Sequence, residues 1–230
     1  DDQNRGLEVY REVSSVLQGE TLGCALDRIR TYSGAEVLNG LLPDRVCVWI
    51  LEDLVSDPGW NEEWWILADD GSVESVAVDD FTRSVCERRF SWNDCLRRPK
   101  ADSWCLRGFL AAIVDKKNIA TLADRYRSEI TFKSADIARY REGHWLQRHC
   151  DDFEQRCFGL VWFLSRGWRP GFGGELIVAG DAGATCEIPP RGGDVAVIAL
   201  GSGSYHQVRS VRSGDWQRYS VAAHYGRRVN

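Results

Sequence analysis

Apolar positions follow three different rhythms along the chain. Over residues 7–17, Leu7, Val9, Tyr10, Val13, Val16 and Leu17 approximate helical spacing, and Gly19 stands just beyond them. The spacing predicts an opening helix. Residues 46–51 and 64–67 are compact apolar runs that read as extended, and Asp70-Gly71, between residues 64–67 and 73–78, predicts a hairpin. Residues 79–90 and then 104–127 return to helix-like spacing. The second of these breaks around residues 115–118, and Leu106, Phe109, Leu110 and Ile113 form an apolar stripe expected to pack into a core.

From about residue 129 the texture changes to short strand candidates divided by Gly, Pro and Asp. They cover residues 131–140, 145–150, 158–164, 175–178, 185–188, 194–200, 205–211 and 217–225. Eight such strands suit a double-stranded β-helix. The expected fold class is mainly β with α elements, a jelly-roll core over residues 129–230 carrying an N-terminal α/β extension over residues 1–128.

Composition narrows the function classes. The 230 residues are 43% apolar and 27% charged, the profile of a globular protein with a full core. The longest apolar runs are far shorter than the roughly 20 residues needed to span a bilayer, so no membrane partner is expected. The opening residues 1–6 are polar and show no secretory apolar segment. A net charge of -5 argues against a polyanionic partner such as nucleic acid. None of the 8 cysteines forms a CxxC pair, so they are read as reduced thiols of a cytoplasmic protein rather than as zinc ligands or staples.

Candidate chemistry begins at His149 and Asp151. Two residues apart on a strand candidate, they are expected to point to one face, and His206 on another strand is the natural third member. Two imidazoles and one carboxylate occupying one face of a metal leave neighbouring positions open, the arrangement of non-haem Fe(II) oxygenases. Arg218 follows His206 by twelve residues and adds a cation, with Ser220 two residues further on the same face.

The blocks around these residues extend the pattern. Ala138-Arg139-Tyr140-Arg141-Glu142-Gly143 precedes His149-Cys150-Asp151. Trp168 and Pro170 lead to Gly173-Gly174-Glu175-Leu176, and after Pro189 and Asp194 comes Ser204-Tyr205-His206-Gln207-Val208. In this order, over about residues 129 to 226, the chain resembles the Fe(II)/2-oxoglutarate-dependent oxygenases, and within them the prolyl 4-hydroxylase-like branch. The resemblance implies that His149, Asp151 and His206 hold Fe(II) and that Arg218 pairs with the distal carboxylate of 2-oxoglutarate through a guanidinium fork. It also implies that Tyr140 donates its hydroxyl to the same co-substrate, with Ser220 able to add a hydrogen bond.

Two positions depart from the pattern. Phe163 stands where some relatives carry a co-substrate-binding Tyr, and His224 stands where the family often has Trp. Residues 218, 220, 222 and 224 share parity, so His224 is expected to face the interior. Arg156 and His224 are the candidates for substrate selection. His144, by contrast, reads as a loop or surface histidine, the ten Trp residues as packing, and Gly171, Gly173 and Gly174 as turn glycines.

The implied function is a 2-oxoglutarate-dependent dioxygenase that consumes O2 and releases succinate and CO2. The carboxylate Asp151 favours hydroxylation over halogenation. A small molecule such as an amino acid or metabolite is the expected substrate. The alternatives are a peptidyl or protein hydroxylase of the same chemistry and a non-catalytic cupin-like metal-binding module.

Overall fold

Asp1 accepts a hydrogen bond from the Gln3 backbone and starts helix α1 (Asp2–Gln18), which Gly19 ends. The computed structural model describes residues 1–31, 34–180 and 185–228. The buried face of α1 is Gly6, Val9, Val13 and Leu17, the helical spacing of the sequence. Helix α2 (Glu20–Thr31) buries Leu22, Ala25, Leu26 and Ile29 in the same way. After strand β1 (Ala35–Leu38) comes a correction. Residues 46–51, expected to be extended, lie inside helix α3 (Asp44–Ser56). Val46, Cys47, Ile50 and Leu54 are its buried face, a period that a six-residue window cannot separate from a strand, and Pro43 with Asp44 at its start is a helix-opening signal.

The expected hairpin forms as β2 (Trp60–Leu67) and β3 (Val73–Val76), with Gly71 at φ 80° in the turn. Residues 79–90 are only partly helical. Helix α4 (Val78–Arg83) gives way to a 3₁₀ turn and then to β4 (Arg89–Leu96), whose pairing with three other strands overrides the local pattern. Helices α5 (Trp104–Val114) and α6 (Lys116–Tyr126) meet at Asp115, whose carboxylate caps α6 through the Lys117 and Asn118 backbone amides. Helix α1 crosses α5 at Gly6 and Gly108. A Cβ on Gly108 would overlap the Gly6 carbonyl oxygen, and one on Gly6 would stand 2.6 Å from the Trp104 carbonyl oxygen.

The remaining strands are β5 (Ile130–Tyr140), β6 (Trp145–His149), β7 (Arg156–Phe163), β8 (Leu176–Ala179), β9 (Thr185–Ile188), β10 (Val195–Ala199), β11 (Tyr205–Val208) and β12 (Arg218–Arg227). All pair antiparallel, in the order β1-β10-β7-β12-β5-β4-β6-β11-β8-β9, with the β2–β3 hairpin attached to β4. One jelly-roll wall is β10-β7-β12-β5 and the other is β6-β11-β8-β9, with β4 bridging them. The expected division near residue 128 falls between α6 and β5. Strands β1 and β4, from before that point, pair with β10, β5 and β6 from after it.

Strand alternation sorts the core into two layers. On β7 and β12, Leu160, Trp162, Val221 and Tyr225 face the helices. There Trp162 meets Phe109 edge to face at 5.2 Å, and the Tyr225 hydroxyl donates to the Ile113 carbonyl. The opposite parity, including Val161 and Phe163, faces the barrel interior with Tyr140, Leu176, Val208 and Ile198. Gly171, Gly173 and Gly174 adopt positive φ in the turn before β8.

Candidate active site

Between the two walls lies a cavity of about 980 Å³. Strand β12 presents Arg218, Ser220, Ala222 and His224 to it, and antiparallel β5 sets Tyr140, Ala138, Asp136 and Ser134 opposite them in register. One barrel face therefore runs from a cation to a carboxylate with a small-residue pair between. Strands β2 and β4 of the first half of the chain add Glu63, Trp65 and Cys95 to the wall, and Arg97 just after β4 joins them.

His149 ends β6 and pairs directly with His206 on β11, their ring centroids 4.1 Å apart. Asp151 differs from expectation. The strand stops at His149, so alternation does not aim the carboxylate; side-chain contacts do. Its Oδ1 stands 3.5 Å from His149 Nε2, and its Oδ2 lies 3.8 Å from His206 Nε2 and 3.1 Å from an Arg156 nitrogen. One ligand-capable atom from each of His149, Asp151 and His206 lies within 4.8 Å of the others.

The donor set fits a divalent metal on two counts. His149 Nδ1 is 2.9 Å from the Gln147 carbonyl, where an N–H donates, which leaves Nε2 with its lone pair toward the cluster. Burial holds His206 well below the usual histidine range, with His149 and Arg156 adding to the effect, so its imidazole is neutral at pH 7, the form that can ligate a metal.

Arg218 is 2% exposed, and among the described residues it has no carboxylate partner and an Nε without any hydrogen-bond acceptor. Its guanidinium stands 4.9 Å from the Tyr140 ring centroid and 5.4 Å from that of Phe163. Burial pushes Tyr140 up to about 12, with Arg218 opposing, so the hydroxyl keeps a proton to donate onward. A buried guanidinium of this kind fits a carboxylate brought in from outside. Ser220 lines the same end of the cavity.

Arg156 is not solvated. Its side chain is 8% exposed, held by Asp151 and by Ser134 Oγ at 3.1 Å, with the Phe153 ring centroid 4.0 Å from the guanidinium. His224 is buried beside it, with Nε2 3.5 Å from Asp151 and Nδ1 3.1 Å from Ser134 Oγ. Burial, then Arg156, pushes His224 down to about 3 despite Asp151.

His144 lies in the loop between β5 and β6, as one of the two expected placements had it, but is buried at 1% exposed rather than on the surface. Its ring lies 4.7 Å from Trp92, and Nε2 is 3.4 Å from Glu62. Glu62, Asp94 and His144 also bring ligand-capable atoms together, but Arg139 and Arg141 already bond the Asp94 carboxylate, at 2.6 and 2.7 Å. That cluster is an ion network, complete without a metal. All 8 cysteines are unpaired, and no helix among the described residues is long and apolar enough to cross a membrane.

Sequence reasoning passed over Asp136 and Ser134, although the parity of Tyr140 places both on the inner face of β5. Glu63, Trp65 and Arg97 left no comparable signal, because the β2–β4 pairing alone brings them to the site.

A jelly-roll cavity with two imidazoles, a carboxylate and a buried arginine defines the class of non-haem iron oxygenases. Residues 135–226 match the family model of the 2OG-Fe(II) oxygenase superfamily, and that match, together with the fold, supports a 2-oxoglutarate-dependent dioxygenase. Fe(II), 2-oxoglutarate and O2 are the cofactors of this class. No curated protein sequence matches the chain significantly.

Among solved structures, a prolyl-4-hydroxylase of Pseudomonas putida superposes with a TM-score of 0.65 at 18% identity, covering 90% of this chain and 100% of that one. A Trichoplax adhaerens prolyl hydroxylase, in complex with a hypoxia inducible factor oxygen degradation domain peptide fragment, gives 0.68 at 16% identity, with 90% of each chain covered. The non-haem α-ketoglutarate-dependent epimerase SnoN of nogalamycin biosynthesis gives 0.56 at 13% identity, covering 91% of this chain and 84% of that one. These likenesses are of fold.

Proposed function

We propose that the chain hydroxylates an unactivated carbon of a small molecule such as an amino acid or metabolite. His149, Asp151 and His206 hold Fe(II), and Arg218, with Tyr140 and Ser220, anchors 2-oxoglutarate. The balance is substrate C–H plus O2 plus 2-oxoglutarate giving C–OH, succinate and CO2. The observation that carries this reading is the buried Arg218, without a carboxylate partner, facing the same cavity as the triad. The bound metal supplies oxygen activation. The protein's own residues orient the co-substrate, keep the His206 imidazole neutral and wall the reacting carbon from water.

A cavity of about 980 Å³ lies at the upper end of the roughly 300 to 1,000 Å³ of small-molecule sites, which supports a small substrate. Arg156 and His224 line the cavity beside Asp151 and take part in selecting it. Residues 1–128 act as an extension that supports the jelly roll and frames the mouth through Glu63, Trp65 and Arg97. Eight unpaired thiols suit a reducing, cytoplasmic setting.

The test is incubation with Fe(II), 2-oxoglutarate and a metabolite mixture, read by mass for a gain of one oxygen matched by succinate. The peptidyl reading has its support in the Trichoplax fold relative, whose partner is a peptide. Succinate formation stimulated by peptides and by no free metabolite would favour it.

A further inference from the structure

We propose that Asp136 selects a substrate bearing a cationic nitrogen, an ammonium or guanidinium at the end of an aliphatic chain, for the hydroxylation assigned to this cavity. The inference rests on that assignment and adds the chemical class of the substrate.

Asp136 lies on the inner face of β5, opposite Ala222 of β12 and two residues from Ala138. The Ala138–Ser220 pair separates it from the Arg218–Tyr140 pair, so the face carries opposite charges with short side chains between. Its side chain is 54% exposed, and the space it borders is the cavity. Among the described residues its carboxylate makes no hydrogen bond. The nearest ionisable group is His224, whose Nδ1 stands 3.6 Å away and is already engaged by Ser134 Oγ at 3.1 Å.

Every other carboxylate of this wall is matched. Glu63 accepts two bonds from Arg97, at 3.0 and 2.7 Å, and a third from Trp65 Nε1 at 3.1 Å. Asp151 is held by Arg156. Of the cations lining the cavity, Arg97 and Arg156 are matched by the same contacts, Arg218 stands at the co-substrate end, and Arg148 stacks on Tyr205 with 4.4 Å from guanidinium to ring. With Arg218 assigned to the co-substrate carboxylate, Asp136 is the carboxylate of the cavity left for the substrate to match.

A substrate that fills the cavity displaces water from Asp136. A neutral chain would then leave the carboxylate desolvated and unpaired, whereas an ammonium or guanidinium replaces the water with charge-assisted bonds. The penalty on the neutral analogue and the gain for the cation act in the same direction. The apolar wall of Trp65, Ala138, Val161 and Ala222 accommodates the aliphatic stem.

The experiment compares isosteric pairs, L-lysine with L-2-aminoheptanoate and L-arginine with L-citrulline, both free and within short end-blocked peptides. Binding is measured by calorimetry and kcat/KM by succinate release, on the wild-type chain and on Asp136→Asn and Asp136→Arg. The expected wild-type preference for the cationic member is about ten- to a hundredfold in at least one pair. Asp136→Asn should bring that ratio toward one, and Asp136→Arg should turn preference toward a carboxylate-ended analogue, 2-aminoadipate.

Binding of both members equally, or of neither, overturns the proposal. So does an Asp136→Asn variant that loses both members of a pair alike, the signature of a residue that only holds His224 in place. If the preference and its dependence on Asp136 are found with peptides alone, the inference stands and the small-molecule reading falls. Hydroxylation of free neutral and cationic members at equal efficiency leaves that reading standing and removes the inference.

Discussion

Replacing Arg218 with Met should raise the stability of the ligand-free protein while nearly abolishing its hold on 2-oxoglutarate. Arg218 is 2% exposed and meets no carboxylate among the described residues. Burying a cation costs several kcal/mol. Against this stand two ring faces, at 4.9 and 5.4 Å, together worth about 2 kcal/mol. Met has a similar length, no charge and the apolar neighbours Phe163 and Tyr140 to pack on. The metal-free, co-substrate-free variant should therefore gain about 1 to 3 kcal/mol in urea unfolding.

Co-substrate binding should move the other way. Loss of a buried charge-assisted pair costs about 3 to 5 kcal/mol, which at 1.4 kcal/mol per tenfold is roughly two to three and a half orders of magnitude in Kd. Calorimetric titration of 2-oxoglutarate in the presence of Mn(II) reads this directly. The opposite signs are the point of the test. A variant that loses stability and binds 2-oxoglutarate as tightly as the wild type would mean that Arg218 is satisfied within the protein and that another cation anchors the co-substrate.

Three further outcomes are expected. Anaerobic addition of Fe(II) and 2-oxoglutarate to the wild type should produce a weak visible absorption band that His206→Ala lacks; an unchanged band would remove His206 from the metal site. Burial raises the Asp94 carboxyl, but hydrogen bonds from Arg141 and Arg139 outweigh it and hold the group below its usual range. Its stabilisation is thus present above the unfolded value of about 4 and lost as pH falls through the folded value. With both arginines partly exposed, Asp94→Asn should cost about 2 kcal/mol near pH 7, a gap with the wild type that closes on acidification; equal urea midpoints at pH 7 would refute it. Gly108→Ala should lower the urea midpoint, because overlap with the Gly6 carbonyl costs about 1 to 3 kcal/mol against a helix-propensity gain of at most about 1; a more stable variant would show that α1 can yield.

What the sequence determined by itself was direction. Period-two alternation states which side chains of β12 share a face, and it sends Arg218, Ser220, Ala222 and His224 into one cavity whatever the rest of the chain does. Helix periods and end signals likewise set α1 and the α5–α6 break at Asp115, and Asp70-Gly71 set the β2–β3 turn. Tertiary structure decided partnership. Residues 46–51 became helix because a face at four-residue spacing found a core to cover, and β4 became a strand because two walls needed a bridge. Asp151, beyond the end of β6, is aimed by Arg156 and two imidazoles rather than by alternation. His144 was drawn inside against Trp92, and Glu63 found Arg97 across the β2–β4 pairing while Asp136 found no cation. Facing is a local property, written in the dihedral repeat of a few consecutive residues. Whether a charge is matched depends on segments distant in sequence, and their approach is set by the burial of the whole core.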